Sequence, residues 1–311
     1  MLKSAGRFIL ELMEQPYPKQ YSTPAELVQL LKQRGLAIID ENKAAEYIQN
    51  IGYFRLSAYF YPFLKIPKDL HQFKIDSSFD KVMKLYRFDR KLRMLMFNEI
   101  EKIEVAVRSA IVNITAQETN NPFWMTDVST FANAEKYQKM IALIGKEYNQ
   151  SKEDFIQHFR RTYSNPYPPA WELAEILPLG ILTRVYENIK SNQIRKRIAQ
   201  HFYLNIPVLE SWLTIITLTR NSCCHHSRVW NKEYAFRSRT MNKMNRPWIN
   251  ATVNQQRIFY NLSIIKYFLD ILSPNNHFRQ RIIDLLVEFP IVDKAAMGFP
   301  ENWKQEALWL K

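Results

Sequence analysis

Apolar positions along this 311-residue chain recur mostly at intervals of three and four, and several of these runs are bounded by residues that start or stop helices. Thr23, Pro24 and Glu26 supply an N-cap hydroxyl, a proline at the first helical position and an early carboxylate, in that order. A helix is therefore expected from there to Gly35, with Leu27, Leu30 and Leu31 on its apolar face. Asp40 opens a second helix through Ile48. The segment IGYFRLSAYFYPFL follows, and its dense aromatics predict burial on most sides and a buried carboxylate as partner for Arg55. From Phe79 to about Ala116 the pattern predicts one long helix with a stripe of Val82, Leu85, Leu92, Leu95, Ile103, Ala110 and Ile114. A second line on it, Arg93, Phe97, Ile100, Glu104 and Arg108, sets Glu104 and Arg108 one turn apart beside the core. Either these two form a structural ion pair, or Glu104 orients a catalytic or RNA-contacting group on a facing helix.

Asn120, Asn121 and Pro122 break the pattern, as does YSNPYPPAW at 163–171. A helix from Ala170 to Ser191 should kink at Pro178 and Gly180. Residues 191–203 form a basic amphipathic stretch in which Arg195, Lys196 and Arg197 either face solvent or track a phosphate backbone. VNQQRIFYNLSIIKYFLDIL and RQRIIDLLVEF read as a helical pair that completes the core or a dimer interface. With six glycines in the whole chain and no alternating runs around Asn-Gly or Asp-Gly, hairpins are scarce and an all-α fold follows. The expected organisation is an arm over 1–23, a main body over 24–234 and a C-terminal extension over 235–311 packed on it.

Composition narrows the function. An apolar content of 47% supports a large core without staples, and the two cysteines are adjacent in sequence, where disulfide geometry is rarely met. Glu11 and Glu14 sit in or beside the only apolar stretch near the start, so no signal peptide is expected; nor does any run reach the ~18 to 20 apolar residues of a membrane span. A cytoplasmic protein without membrane contact is expected. Forty-three Lys and Arg against 30 Asp and Glu give a formal charge of +13, which draws polyanions. RNA is favoured over duplex DNA, because bases outside a duplex can stack on the rings of a chain rich in Tyr, Phe and Trp, and because no recognition helix with exposed Arg, Asn or Gln followed by a turn glycine is evident.

The residues that invite chemistry lie in VLESWLTIITLTRNSCCHHSRVWN. Leu209, Trp212, Leu213, Ile216 and Leu218 predict a buried helix, after which Arg220, Asn221, His225, His226, Arg228 and Asn231 arrive within twelve positions. A zinc site is disfavoured, because CCHH spreads four neighbours around a helix and only Cys223 and His226 share a face; no cofactor is expected. A structural reading pairs Arg220 and Arg228 with core-facing acids such as Glu104. A third reading is metal-independent RNA cleavage, in which imidazoles move protons near neutral pH and a guanidinium fork holds phosphate oxygens. Arg220 and His225 are about 140° apart on an ideal helix, whereas Asn221, His225 and Arg228 line one stripe. Either the helix loosens near Cys223 or the site assembles between two copies, so a homodimer is expected.

Arg220, with Asn221 directly after it and His225 five positions on, resembles the catalytic motif of the HEPN (higher eukaryotes and prokaryotes nucleotide-binding) ribonucleases. Together with IGYFRLSAYFYPFL, LYRFDRKLRMLMFNEIEKIEVAVRSAI, RNSCCHHSRVWN and MGFPENW, it makes the chain similar to the abortive-infection proteins of the AbiD and AbiF type. The resemblance implies a helical HEPN-type bundle and a phage-defence ribonuclease that arrests growth, restrained by a small structured RNA or another partner. It makes Arg220 and His225 the catalytic pair, has Asn221 position the arginine or the phosphate, and leaves His226 as an alternative imidazole. HEPN-type domains also serve as non-catalytic RNA-binding or assembly modules, which is the competing reading. On either reading Glu104, Arg108, Arg228, Arg195, Lys196 and Arg197 are supporting or RNA-binding candidates.

Overall fold

A computed structural model describes residues 20–311. Residues 1–19, with most of the expected arm and the apolar stretch beside Glu11 and Glu14, lie outside the described residues. Among those described there are twelve α-helices and no strand, only isolated bridges such as Leu64 with Phe73. The fold is all-α, as expected. The chain divides into two compact units, Met1–Tyr86 and Arg87–Lys311.

In the first unit α1 spans Pro24–Gln33 and α2 spans Glu41–Ile51. Thr23 caps α1 as anticipated: its hydroxyl accepts the Glu26 N–H at 3.3 Å, and the Glu26 carboxylate accepts the Thr23 N–H at 2.7 Å. Asp40 caps α2 through the Lys43 N–H at 2.9 Å. Val28 and Leu31 are the buried residues of α1, so the apolar face is rotated from the expected one. The third helix, α3 (Tyr53–Phe60), corrects a larger expectation. Leu56, Tyr59 and Phe60 are buried at offsets of three and four, while Phe54 is 90% exposed and Arg55 is exposed. One face of a short helix goes inward, so aromatic density alone did not dictate burial on most sides.

The long helix α4 covers Phe79–Thr119, close to the expected span. Then follow α5 (Ala134–Gln150) and α6 (Asp154–Thr162). The helix expected from Ala170 to Ser191 is instead broken into α7 (Ala170–Leu173), a 3₁₀ turn, and α8 (Leu179–Asn188). Pro178 takes the N-cap position of α8, where its missing N–H costs nothing, and so it starts a helix in place of kinking one. Next come α9 (Asn192–His201) and α10 (Ile206–Cys224), the latter capped by Asn205, which accepts the Val208 N–H at 3.0 Å.

Helix α10 packs against α8, α9 and α11 (Ile258–Leu272). Nearly every residue of α11 is buried, the mark of a helix enclosed by the rest of the core. Trp212 of α10 meets Trp248 at 4.8 Å and Tyr267 of α11 at 5.0 Å between ring centroids. Helix α12 (Phe278–Glu288) and the chain end close the other side, where Trp309 stacks on Phe259 and Phe278. Gly298, in the MGFPENW segment, has φ +85°, and a Cβ there would lie 2.5 Å from the Arg257 Cβ. Glycine is required by that backbone and that contact. The C-terminal helical pair therefore completes the core of the second unit, and rigid surroundings hold α10 on three sides.

Candidate functional site

The polar side of α4 carries two carboxylate–arginine pairs at i, i+4. The first, Asp89 with Arg93, is buried, and its members are bonded to each other. The other Asp89 oxygen accepts the Val229 N–H at 3.1 Å and the Trp230 N–H at 2.8 Å, and an Arg93 Nη reaches the Ser227 carbonyl at 3.4 Å. A buried charge is tolerable only with such partners. Here the partners are the backbone of the segment that leaves α10, so α4 fixes where that segment runs.

About three turns beyond Arg93, Glu104 and Arg108 form the second pair at 3.4 Å. Arg108 also meets Glu175 and the Leu177 carbonyl, each at 3.4 Å. The free side of Glu104 faces α10, where its Oε2 lies 3.5 Å from Arg220 Nε. That contact is ionic and misses hydrogen-bond geometry, leaving Nε as a buried donor with no hydrogen-bond partner, although the side chain as a whole stays 32% exposed. Arg220 is thus held by charge from one side and open on another.

Helix α10 does not loosen before its end. The His225 N–H bonds to the Asn221 carbonyl at 2.9 Å, an intact i to i−4 step, so Arg220 and His225 leave the helix about 140° apart. His226 then turns left-handed at φ +55°. Its N–H bonds to the Cys223 carbonyl and the Ser227 N–H to the Ser222 carbonyl, which together close a Schellman-type terminus on a non-glycine residue. Both imidazoles are exposed, and Asn221 is half-buried. Because the helix stops at Cys224, Arg228 is not on a helical stripe with Asn221 and His225; it belongs to the segment clamped by Asp89. Such a left-handed residue beside the motif is local strain at a candidate site.

The remaining candidates fall elsewhere. Arg195 is ion-paired to Glu210 and Arg197 to Glu118, while Lys196 is exposed; these partners are outside the Arg220–His226 segment. Cys223 is buried, and burial pushes its thiol up to about 12, so it is a packing residue and no nucleophile. Among the described residues no three of His, Cys, Asp and Glu converge as metal ligands. Sequence reasoning passed over Asp89. Its signal was present all the same: an acid four residues before Arg93, flanked by buried Phe88 and Leu92.

Among the described residues no single helix is long and apolar enough to cross a membrane. No curated protein and no solved structure matches the chain significantly. A family model described as Abi-like protein matches residues 46–231, which takes in α4, α10 and the whole clamped terminus, and it spans more than half of the chain. The chain therefore belongs to the Abi-like protein family, a family of abortive-infection proteins.

Proposed function

We propose that this Abi-like protein is a HEPN-type, metal-independent endoribonuclease that arrests growth on phage infection, with Arg220 and His225 as its principal catalytic residues. In this reaction an imidazole takes the proton of a 2′-hydroxyl, and the 2′-oxygen attacks the adjacent phosphorus. The 5′-oxygen leaves with a proton from a second imidazole, giving a 2′,3′-cyclic phosphate and a 5′-hydroxyl. The guanidinium steadies charge on the phosphoryl oxygens.

The observation that carries this reading is the Glu104–Arg220 contact: a partly exposed guanidinium, braced from behind by a carboxylate, one turn before two exposed imidazoles on a clamped helix end. The solvent access that Arg220 keeps leaves its guanidinium reachable by a phosphate. In this reading Asn221, directly after Arg220, positions the arginine or the phosphate. The angular separation of Arg220 from His225 favours a site completed by a second copy, whose imidazole would supply the other proton role.

The test is the double variant Arg220→Ala with His225→Ala, measured for host toxicity, RNA cleavage in the presence of a chelator, and RNA affinity. Cleavage should fall by roughly 10²-fold to 10⁴-fold, toxicity should vanish and affinity should persist. Fragments from the native chain should end in 2′,3′-cyclic phosphates. If toxicity survives the double substitution, the nuclease reading fails and the chain acts by binding a structured RNA or a phage component.

A further inference from the structure

Seven residues before Glu104, on the same face of α4, the helix borders a groove. Arg90, Arg93, Met94 and Phe97 line it at the i, i+3, i+4, i+7 spacing that keeps side chains on one stripe, and Cys223, Cys224 and His226 line it from the end of α10. Its volume is about 500 Å³, within the range of small-ligand sites. The walls are mostly apolar, yet Met94 and Phe97 are 64% and 42% exposed, so the ring and thioether of this stripe are not absorbed into the core.

Charge at the groove is one-sided. Arg90 is exposed, and no carboxylate of the described residues pairs with it. The nearest acid on the helix, Asp89, is turned inward and occupied by Arg93 and by two backbone N–H groups. An apolar, aromatic wall beside an unneutralised guanidinium is complementary to a ligand with a flat apolar face and an attached anion. His226 lines the groove with a left-handed backbone and is directly next in sequence to His225.

Resting on the ribonuclease reading above, we propose that this groove is the subsite for one unpaired nucleotide of the RNA, its base against Phe97 and Met94 and its phosphate on Arg90. Arg90, Met94 and Phe97 are positioning residues: they select single-stranded RNA and deliver the neighbouring phosphate to the motif. A base within a duplex is stacked on both faces and cannot enter, so the site discriminates loops and single strands from paired RNA. Glu104 and Phe97 lie seven residues apart on α4, about two turns, so anchoring of Arg220 and seating of the base share one rigid element.

The experiment is fluorescence anisotropy of a labelled 2′-O-methyl oligonucleotide, which lacks the attacking hydroxyl and reports binding without cleavage. It uses the full chain and its variants Phe97→Ala and Arg90→Glu, with sedimentation velocity on each. Both variants should bind the single strand about tenfold more weakly, bind a duplex of the same sequence like the native chain, and sediment unchanged. On cleavable RNA, KM should rise more than kcat falls. Affinity for the single strand equal to that of the native chain in both variants would overturn the subsite while leaving the ribonuclease reading standing. A changed sedimentation that accounts for the lost affinity would also overturn it, making the groove a contact between copies. If the native chain itself binds no RNA, the functional reading beneath the proposal is what fails.

Discussion

The two carboxylate–arginine pairs of α4 have the same spacing on the same helix, but their surroundings differ. Around Asp89 and Arg93 the side chains are buried and both Asp89 oxygens are occupied, one by the guanidinium and one by the Val229 and Trp230 N–H groups. Around Glu104 and Arg108 the contacts are long, at 3.4 and 3.5 Å, the two side chains keep slight exposure while Arg220 keeps 32%, and Arg220 Nε has no hydrogen bond. A closed pair in a water-poor setting is stiff, because any displacement exposes a buried charge without compensation. An open one retains donors and room for a ligand's oxygens. The chemistry of the residues is identical in kind, so burial and saturation, more than residue type, separate the clamp from the candidate site.

That contrast is breakable. Its strongest test is Asp89→Ala, which leaves Arg93 buried without its carboxylate and frees two backbone donors. Denaturant unfolding should show a loss of about 3–5 kcal/mol. A loss below about 1 kcal/mol, the scale of exposed pairs, would mean that the buried pair is not a clamp. Glu104→Gln probes the open pair. Stability should fall by less than for Asp89→Ala, about 1–2 kcal/mol, because Glu104 is mostly covered but not saturated, while RNA cleavage falls about tenfold as Arg220 loses its brace. The opposite pattern, a destabilised chain with normal cleavage, would place Glu104 with the structural pair. The smallest effect concerns the strained terminus between the two. His226→Gly should relieve the left-handed backbone and raise stability by about 0.5–1 kcal/mol. Thermal unfolding that shows a loss instead would mean that contacts of the imidazole outweigh the backbone strain.

Several features were legible in the residues alone. The capping signals at Thr23 and Asp40 placed two helix starts, because such caps act within four residues and need no tertiary partner. The period of α4 was readable over some forty residues, since a long stripe averages out local ambiguity. Glu104 was legible as a partner for Arg108 one turn on and for an arginine such as Arg220, and both contacts form, without deciding between a structural pair and an orienting one. Less legible was anything decided by which side of a short element turns inward. Phe54 and Arg55 looked like core residues and are exposed. Pro178 looked like a kink and is a helix start, because proline disrupts only where an N–H is needed. Arg195 and Arg197 were readable either as a solvent face or as a phosphate track, and local pattern could not show that their carboxylate partners come from Glu210 and Glu118, 15 and 79 positions away.

Helix content, the caps, and the gathering of Arg220, Asn221, His225 and His226 at the end of an apolar run are properties of neighbouring residues. Local backbone preference and periodicity determine them, and sequence alone was sufficient. The clamp on Val229 and Trp230, the brace on Arg220 and the groove beside His226 depend on α4 meeting the end of α10, over a hundred residues along the chain. Long-range packing decides such meetings, because the free energy that sets one helix against another is summed over many apolar contacts and is not encoded in the few polar residues that the meeting brings together.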